Sequence, residues 1–229
     1  MNPTLLAIGA HYDDCVFGVP GILLQAVRKH YRVVVLAIIG DYSNWPPVKG
    51  RDQDLRKISV ELAHERGIEV HFLDYASMHF EVNMETKRAV AEVVADVKPD
   101  VGLMLWHRDR HPDHEVASAL AHAALRQPGA LLGVETVRSP RRIYAFDNGP
   151  GHTIGFEPNI FIDVTPDWPV AMEWLGRLMA FVRKAPYDAQ VPDASQNVKE
   201  TLARYRGLAC GAKYAEAIWA TGAYPQEML

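Results

Sequence analysis

The sequence predicts an α/β fold, a mostly parallel sheet with helices on both faces, and three observations carry that prediction. Residues 4–10 and 32–39 are short apolar runs with no polar face, as expected of strands buried on both sides in a parallel sheet. Segments of helical periodicity separate such runs, and alternation of this kind implies βαβ units with right-handed crossovers. Groups able to ligate metal gather at 11–14 and 107–114, each directly after a predicted strand. Ligands in such sheets bind outside the carboxyl ends of the strands.

In chain order, the strand at 4–10 ends in His11-Tyr12-Asp13-Asp14, and a helix is expected from Pro20 or Gly21 to Lys29. The second strand, 32–39, leads into a loop at 41–50 containing Asn44, Pro46 and Pro47. Residues 52–66 have helical spacing and stop at Gly67, a normal helix terminator. A third strand (69–73), a helix (84–97) and a fourth strand (101–106) follow, with Pro99 as punctuation. After the second polar cluster come a helix at 115–125, strands at 142–146 and 160–164, and a helix from about 168 to 184. The final segment, 193–229, reads as mostly helical and packed on the same domain, so residues 1–229 are expected to form one domain. The two clusters meet if the first and fourth strands are neighbours across the switch point of the sheet.

Bulk properties exclude several classes of function. A formal charge of -4 and a pI near 6.2 argue against a nucleic-acid surface, which needs clustered Lys and Arg. No apolar stretch approaches the roughly 20 residues that span a bilayer. The first nine residues lack a basic n-region and a small-residue cleavage site, so a cytoplasmic protein is expected. Two cysteines, Cys15 and Cys210, make no disulfide framework and fit the same compartment.

The chemistry concentrates in HxDD and HPDH. Catalytic zinc takes three protein ligands from His and carboxylate and keeps one position for water. His11 and Asp14, three apart after a strand, can point at one ion. Asp13 cannot easily point the same way as its neighbour, so one carboxylate can bind metal while the other takes a proton. His111 and His114 flank Pro112, which fixes the backbone at a helix entrance. One of these histidines can supply the third ligand and the other can stand near the substrate. Taken singly, Asp13, Asp14 or Asp113 reads as a helix cap. Jointly the two motifs point to a metal site, with two histidine ligands and one aspartate ligand, a spare base and a spare histidine.

Ala10-His11-Tyr12-Asp13-Asp14 resembles the A-H-P-D-D-E signature of the LmbE-like (PIG-L) N-deacetylases, and His111-Pro112-Asp113-His114 matches their H-P-D-H. Further echoes are Arg56, Ala63 and Gly67, then Pro99-Asp100-Val101, then Phe161-Ile162-Asp163-Val164. The resemblance implies a Rossmann-like, doubly wound fold, Zn2+ as cofactor, and removal of acetyl from N-acetylglucosamine-type sugars or glycoconjugates. It also implies a homo-oligomer. Carried onto this chain, it makes His11, Asp14 and His114 the metal ligands and Asp13 the general base. His111 becomes a stabiliser of the oxyanion or protonator of the amine, and Asp113 a partner orienting a histidine. The chain departs from the signature at Tyr12 for proline and Cys15 for glutamate. Its glycine-rich continuation is reduced to Gly18 and Gly21, and Ser59 stands where a glutamate often pairs with the helix arginine.

Weaker candidates surround these motifs. Arg108 and Arg110 read as anion contacts or solvated loop charges. Tyr42, Asn44 and Trp45 lie on the ligand side of the sheet, where an aromatic can stack on a sugar or simply anchor the loop. Asp74, Ser77, His79 and His152 rank lower as contacts, and Cys210 has no partner. Two functions compete with deacetylation. One is a zinc hydratase or lyase acting on a small organic acid with the same site. The other is a catalytically silent metal-binding protein, against which Asp13 counts, since a structural site needs no free base.

Overall fold

A computed structural model describes residues 2–225. Its elements are β1 (Thr4–Gly9), α1 (Asp14–Gly18), α2 (Pro20–Arg28), β2 (Arg32–Asp41), α3 (Asp52–His64), β3 (Ile68–Ala76), α4 (Met84–Val97) and β4 (Val101–Leu105). They continue as α5 (Pro112–Arg126), α6 (Pro128–Leu132), β5 (Arg142–Phe146), β6 (Ile160–Asp163), α7 (Trp168–Arg183), α8 (Ala194–Cys210) and β7 (Ala215–Ala220). The seven strands form one sheet in the order β3-β2-β1-β4-β5-β7-β6. Every residue of β1 is buried, because parallel neighbours flank it on both edges and helices cover both faces. α4, α5 and α6 pack together, while α7 packs on α1, α2, α3 and α8.

The order reverses where the chain, having built β1, β2 and β3 outward on one side, returns to place β4 on the other side of β1. Leu5 pairs with Val101 and Ile8 with Met104, so the two strands end level with one another. Both polar motifs therefore open at the same point on the sheet edge. The adjacency expected of the first and fourth strands is what the structure has.

Two boundaries differ from the sequence reading for identifiable reasons. α5 begins at Pro112 rather than at 115, since proline at the first helical position is already set to the helical φ. His111 becomes the capping residue, and Asp113 and His114 fall inside the first turn. α3 ends at His64, and Gly67 at φ +73° lets the chain turn directly into β3.

The larger correction lies at the C-terminal end. α8 stops at Gly211, and residues 215–220 form a strand that runs antiparallel between β5 and β6. The segment AEAIWA reads as helix by propensity because alanine and glutamate favour it. What overrides propensity is Glu216, 2 % exposed. Its carboxylate accepts hydrogen bonds from the backbone N–H of Gly21 (3.0 Å) and Ile22 (2.8 Å) at the start of α2, where a helix favours negative charge. Lys199 Nζ, equally buried on α8, lies 2.9 Å from Glu216 Oε1 and donates to the carbonyl of Gly18 at 2.8 Å. The last four residues of the expected helix, 226–229, lie outside the described residues.

This buried pair locks α8, β7 and the α1–α2 junction together. Removing one partner strands the other charge in the core, a change that costs about 3–5 kcal/mol. Lys199→Met is expected to lower the urea-unfolding free energy by that amount. The double variant with Glu216→Gln is expected to recover part of it. Equal stability of Lys199→Met and the wild type would show that the pair does not hold the C-terminal elements.

Candidate metal centre and active site

Asp14 is drawn under the end of β1. Its Oδ2 accepts the backbone N–H of Ala10 at 2.7 Å and of His11 at 2.8 Å. Gly9 permits this approach, since a Cβ there would lie 2.8 Å from the Asp14 Cβ. Asp14 Oδ1 faces His114 Nε2 at 3.2 Å, and His11 Nδ1 lies 3.2 Å from the same nitrogen. Tetrahedral donors held about 2.0–2.1 Å from an ion are spaced roughly 3.3 Å apart. The three side chains thus have the chemistry and the spacing to hold a metal ion, and their donor atoms all lie within 4.8 Å of one another.

The outer nitrogens of both histidines face carboxylates. His11 Nε2 lies 3.2 Å from Asp113 Oδ2, and His114 Nδ1 lies 3.1 Å from Asp109 Oδ1. Asp113 is held in turn by the Ser77 hydroxyl at 2.6 Å and by the N–H of Met78 at 2.9 Å. Partners of this type fix the tautomer and orientation of a ligating imidazole. The pairing of Asp113 with a histidine was legible in HPDH. Asp109 was missed as an orienting group, because its sequence neighbours His107, Arg108 and Arg110 gave it the look of a solvated loop. Asn148, also missed, donates to Asp14 Oδ1 at 2.6 Å from the segment after β5. Its neighbour Asp147 is anchored by Arg206 of α8 at 3.3 Å. Only the sheet order brings either residue to the motifs. Asp109→Asn is expected to weaken metal affinity about tenfold, measured by competition with a chromophoric chelator.

The field of this cluster favours positive charge. Burial lowers the His11 pKa, but Asp113 and Asp14 outweigh burial and carry it to about 9. Burial likewise opposes His114, while Asp14 and Asp109 carry it to about 10. Asp14, which burial alone would push up, is held well below the usual carboxylate range chiefly by His114 and His11. Asp13 goes the other way. Burial and the Asp14 charge push it up to about 6.

Asp13 occupies the residue before α1 but makes no side-chain capping bond, so its carboxylate is left to the cavity that it lines. The cap reading of this residue does not hold. His111 Nδ1 accepts the backbone N–H of Asp113 at 3.2 Å, which leaves the proton of a neutral ring on Nε2. The ring is part of the cavity wall. Cys15 is buried beneath the site, and burial together with Asp14 pushes its thiol well above the ordinary value. It stays protonated and belongs to none of the ligand groups among the described residues.

The cavity over these groups has a volume of about 370 Å³ and includes Ser77, Asn148 and His152 in its lining. Tyr42 and Trp45 also line it, as their place after β2 suggested. Arg110 instead donates to the carbonyls of Pro150 and Gly151, tying the loop that carries His152 to the loop before HPDH. Asp74 is paired with Arg56 at 3.3 Å, away from the cavity.

The sequence profile of PIG-L, GlcNAc-PI de-N-acetylase, matches residues 6–125, which takes in both motifs and the whole switch point. The chain belongs to the PIG-L family. The diacetylchitobiose deacetylase of Thermococcus kodakarensis is 24% identical to it over 226 residues, covering 93% of this chain and 81% of the relative. Two solved structures share the PIG-L fold. One is GalB, the 4-carboxy-2-hydroxymuconate hydratase of Pseudomonas putida, with TM-score 0.82, 20% identity and 99% of each chain covered. The other is the N,N'-diacetylchitobiose deacetylase of Pyrococcus horikoshii, with TM-score 0.76, 19% identity, and 95% and 83% of the two chains covered. Among the described residues of this PIG-L protein, no helix is long and apolar enough to cross a membrane.

Proposed function

We propose that this protein, acting as a single domain, is a zinc-dependent N-deacetylase that removes the acetyl group from an N-acetylated amino sugar or a glycoconjugate bearing one. The observation that carries the reading is the carboxylate of Asp13, making no capping bond and lining the cavity, beside a His11, Asp14 and His114 donor set. A divalent ion bound by that set supplies the charge that acidifies water and polarises an amide carbonyl.

The chain's own groups then divide the work. Asp13 takes the proton of the attacking water as oxygen adds to the carbonyl carbon. His111 Nε2–H donates to the oxygen on which negative charge develops, a contact worth roughly 3–4 kcal/mol in this class of chemistry. Asp13 returns its proton to the nitrogen as the C–N bond breaks, giving acetate and a free amine. Asp113 and Asp109 keep the two imidazole ligands from rotating during the reaction.

The lining of the cavity bears on the competing hydration of an organic acid. Its described residues include Asp13 and Asp14 but neither lysine nor arginine. Substrates rich in carboxylates are bound by guanidinium and ammonium groups. A neutral amide suits this lining better. Acetate release from a panel of N-acetyl sugars by the zinc-loaded protein tests the reading. Abolition by a chelator and recovery with zinc are expected. Full metal occupancy without acetate from any member of the panel would overturn it.

A further inference from the structure

We infer that the groove between α8 and residues 147–156 is a second small-molecule site, which takes an amphipathic monocarboxylate with an aromatic or alkyl body and is coupled to the metal centre. It lies outside the cavity over the metal ligands and has no part in the reaction proposed above.

This second cavity has a volume of about 780 Å³, inside the roughly 300–1,000 Å³ range of ligand pockets. Its walls are largely apolar. Pro150 and Phe156 come from the segment after β5, and Val198, Leu202 and Tyr205 come from α8. The three α8 positions recur at helical spacing and so share one face. Val198 and Tyr205 are exposed, so no other element among the described residues covers this face.

The polar end of the groove is Arg206, which lines the cavity although it is 8 % exposed. Among the described residues its guanidinium makes one hydrogen bond, to Asp147 Oδ2 at 3.3 Å, and its Nε has no partner. A guanidinium carries five N–H donors, and a buried one is costly unless they are paired. Asp147 is a weak counter-ion for it, since burial outweighs Arg206 and Lys199 and pushes its carboxyl up toward the neutral form. A carboxylate entering along the apolar walls therefore meets a cation short of acceptors, with the Phe156 ring 5.2 Å from its central carbon. The body of the ligand leaves water against Phe156 and the α8 face. Arg206 is the only cation in the lining among the described residues, so a second negative charge on the ligand would find no partner.

Coupling follows from the thinness of the wall between the two cavities. Asp147 and Gly149 line the groove, while Asn148 between them lines the cavity over the metal ligands. Gly149 sits so close to Phe17 that a Cβ there would lie 2.9 Å from the ring. Thr153, on the groove side, accepts the N–H of Asn148 at 2.8 Å and donates to Asp109 Oδ2 at 3.3 Å. Asn148 holds Asp14, and Asp109 stands against His114. A ligand that fixes residues 147–156 thus fixes two supports of the donor set, and the effect is reciprocal.

The test is calorimetry on the zinc-loaded protein with 2-naphthoate and, as its uncharged counterpart, 2-naphthalenemethanol. A single naphthoate is expected to bind per chain, on the order of tenfold more tightly than the alcohol, and excess N-acetylglucosamine is expected not to displace it. Arg206→Gln is expected to abolish the preference. Because that variant also removes the partner of Asp147, Val198→Glu supplies a second: an exposed position that places a negative charge at the groove, with the fold checked by circular dichroism. It is expected to weaken naphthoate on the order of tenfold. Zinc affinity, measured by chelator competition, is expected to rise on the order of fivefold with naphthoate bound in the wild type and not in Val198→Glu. Absence of naphthoate binding, or undiminished binding in folded Val198→Glu, would overturn the site. Equal binding of the alcohol would overturn the carboxylate assignment, and an unchanged zinc affinity would overturn the coupling.

Discussion

His114→Ala is expected to leave the protein folded, unable to retain metal through dialysis, and without turnover. His114 stands at the centre of the donor set, since its Nε2 is 3.2 Å from both Asp14 Oδ1 and His11 Nδ1. Alanine leaves two ligands, one of them a carboxylate already engaged by two backbone N–H groups and by Asn148. Loss of a group that merely orients a ligand costs about 10–100-fold in metal affinity, so loss of the ligand itself should exceed a hundredfold. Elemental analysis after dialysis, alongside circular dichroism for the fold, makes the measurement. Stoichiometric zinc in a folded His114→Ala protein would place the metal elsewhere.

Asp13→Asn is expected to do the opposite: keep the metal and lose turnover. The residue is outside the ligand groups among the described residues, and its side chain does not support the helix that follows it. Asparagine preserves the shape of the turn but cannot accept a proton from water. A positioned general base contributes about 10²–10⁴-fold, and the fall should appear in kcat rather than in KM. Metal content equal to that of the wild type separates this result from the first. Full activity in Asp13→Asn would remove it as the base and turn attention to His111 or His152, which share the cavity wall.

The contrast between these variants depends on two adjacent aspartates doing different things. Neighbouring side chains diverge at a turn, and that much follows from the backbone alone. Which aspartate bends back under β1 is decided by the two N–H groups of Ala10 and His11, which only Asp14 reaches. The hydrogen bonds of Tyr42 explain another departure from the family signature. Where proline is usual, Tyr12 has an N–H, and that N–H is satisfied by the Tyr42 hydroxyl at 2.9 Å. An added donor in a buried turn would otherwise lack a partner.

The sheet, its parallel core and both motifs were legible because each is written locally. A strand buried on two faces needs an unbroken apolar run, as in VVVLAII of β2. A metal site needs donors of few types, and HxDD and HPDH hold them at close spacing. The reading of His11, Asp14 and His114 as metal ligands came from those motifs and the family resemblance together. Asp109 was hidden by its charged neighbours, which made it look like part of a solvated loop, and Asn148 was not legible because it reaches the site from the distant segment after β5. The strand at 215–220 was hidden for the same reason: its propensity is helical, and what makes it a strand is an edge of β5 and β6 open to pairing and a buried lysine able to hold Glu216. The sequence by itself determined the fold class, the two motifs and the chemistry they favour, all set by short-range pattern and side-chain type. The tertiary structure alone decided which Asp14 oxygen faces His114, which carboxylates stand beside the histidines, and what shape the cavity has. Those depend on long-range packing, where a hydrogen bond forms only once the sheet order has brought its two ends together.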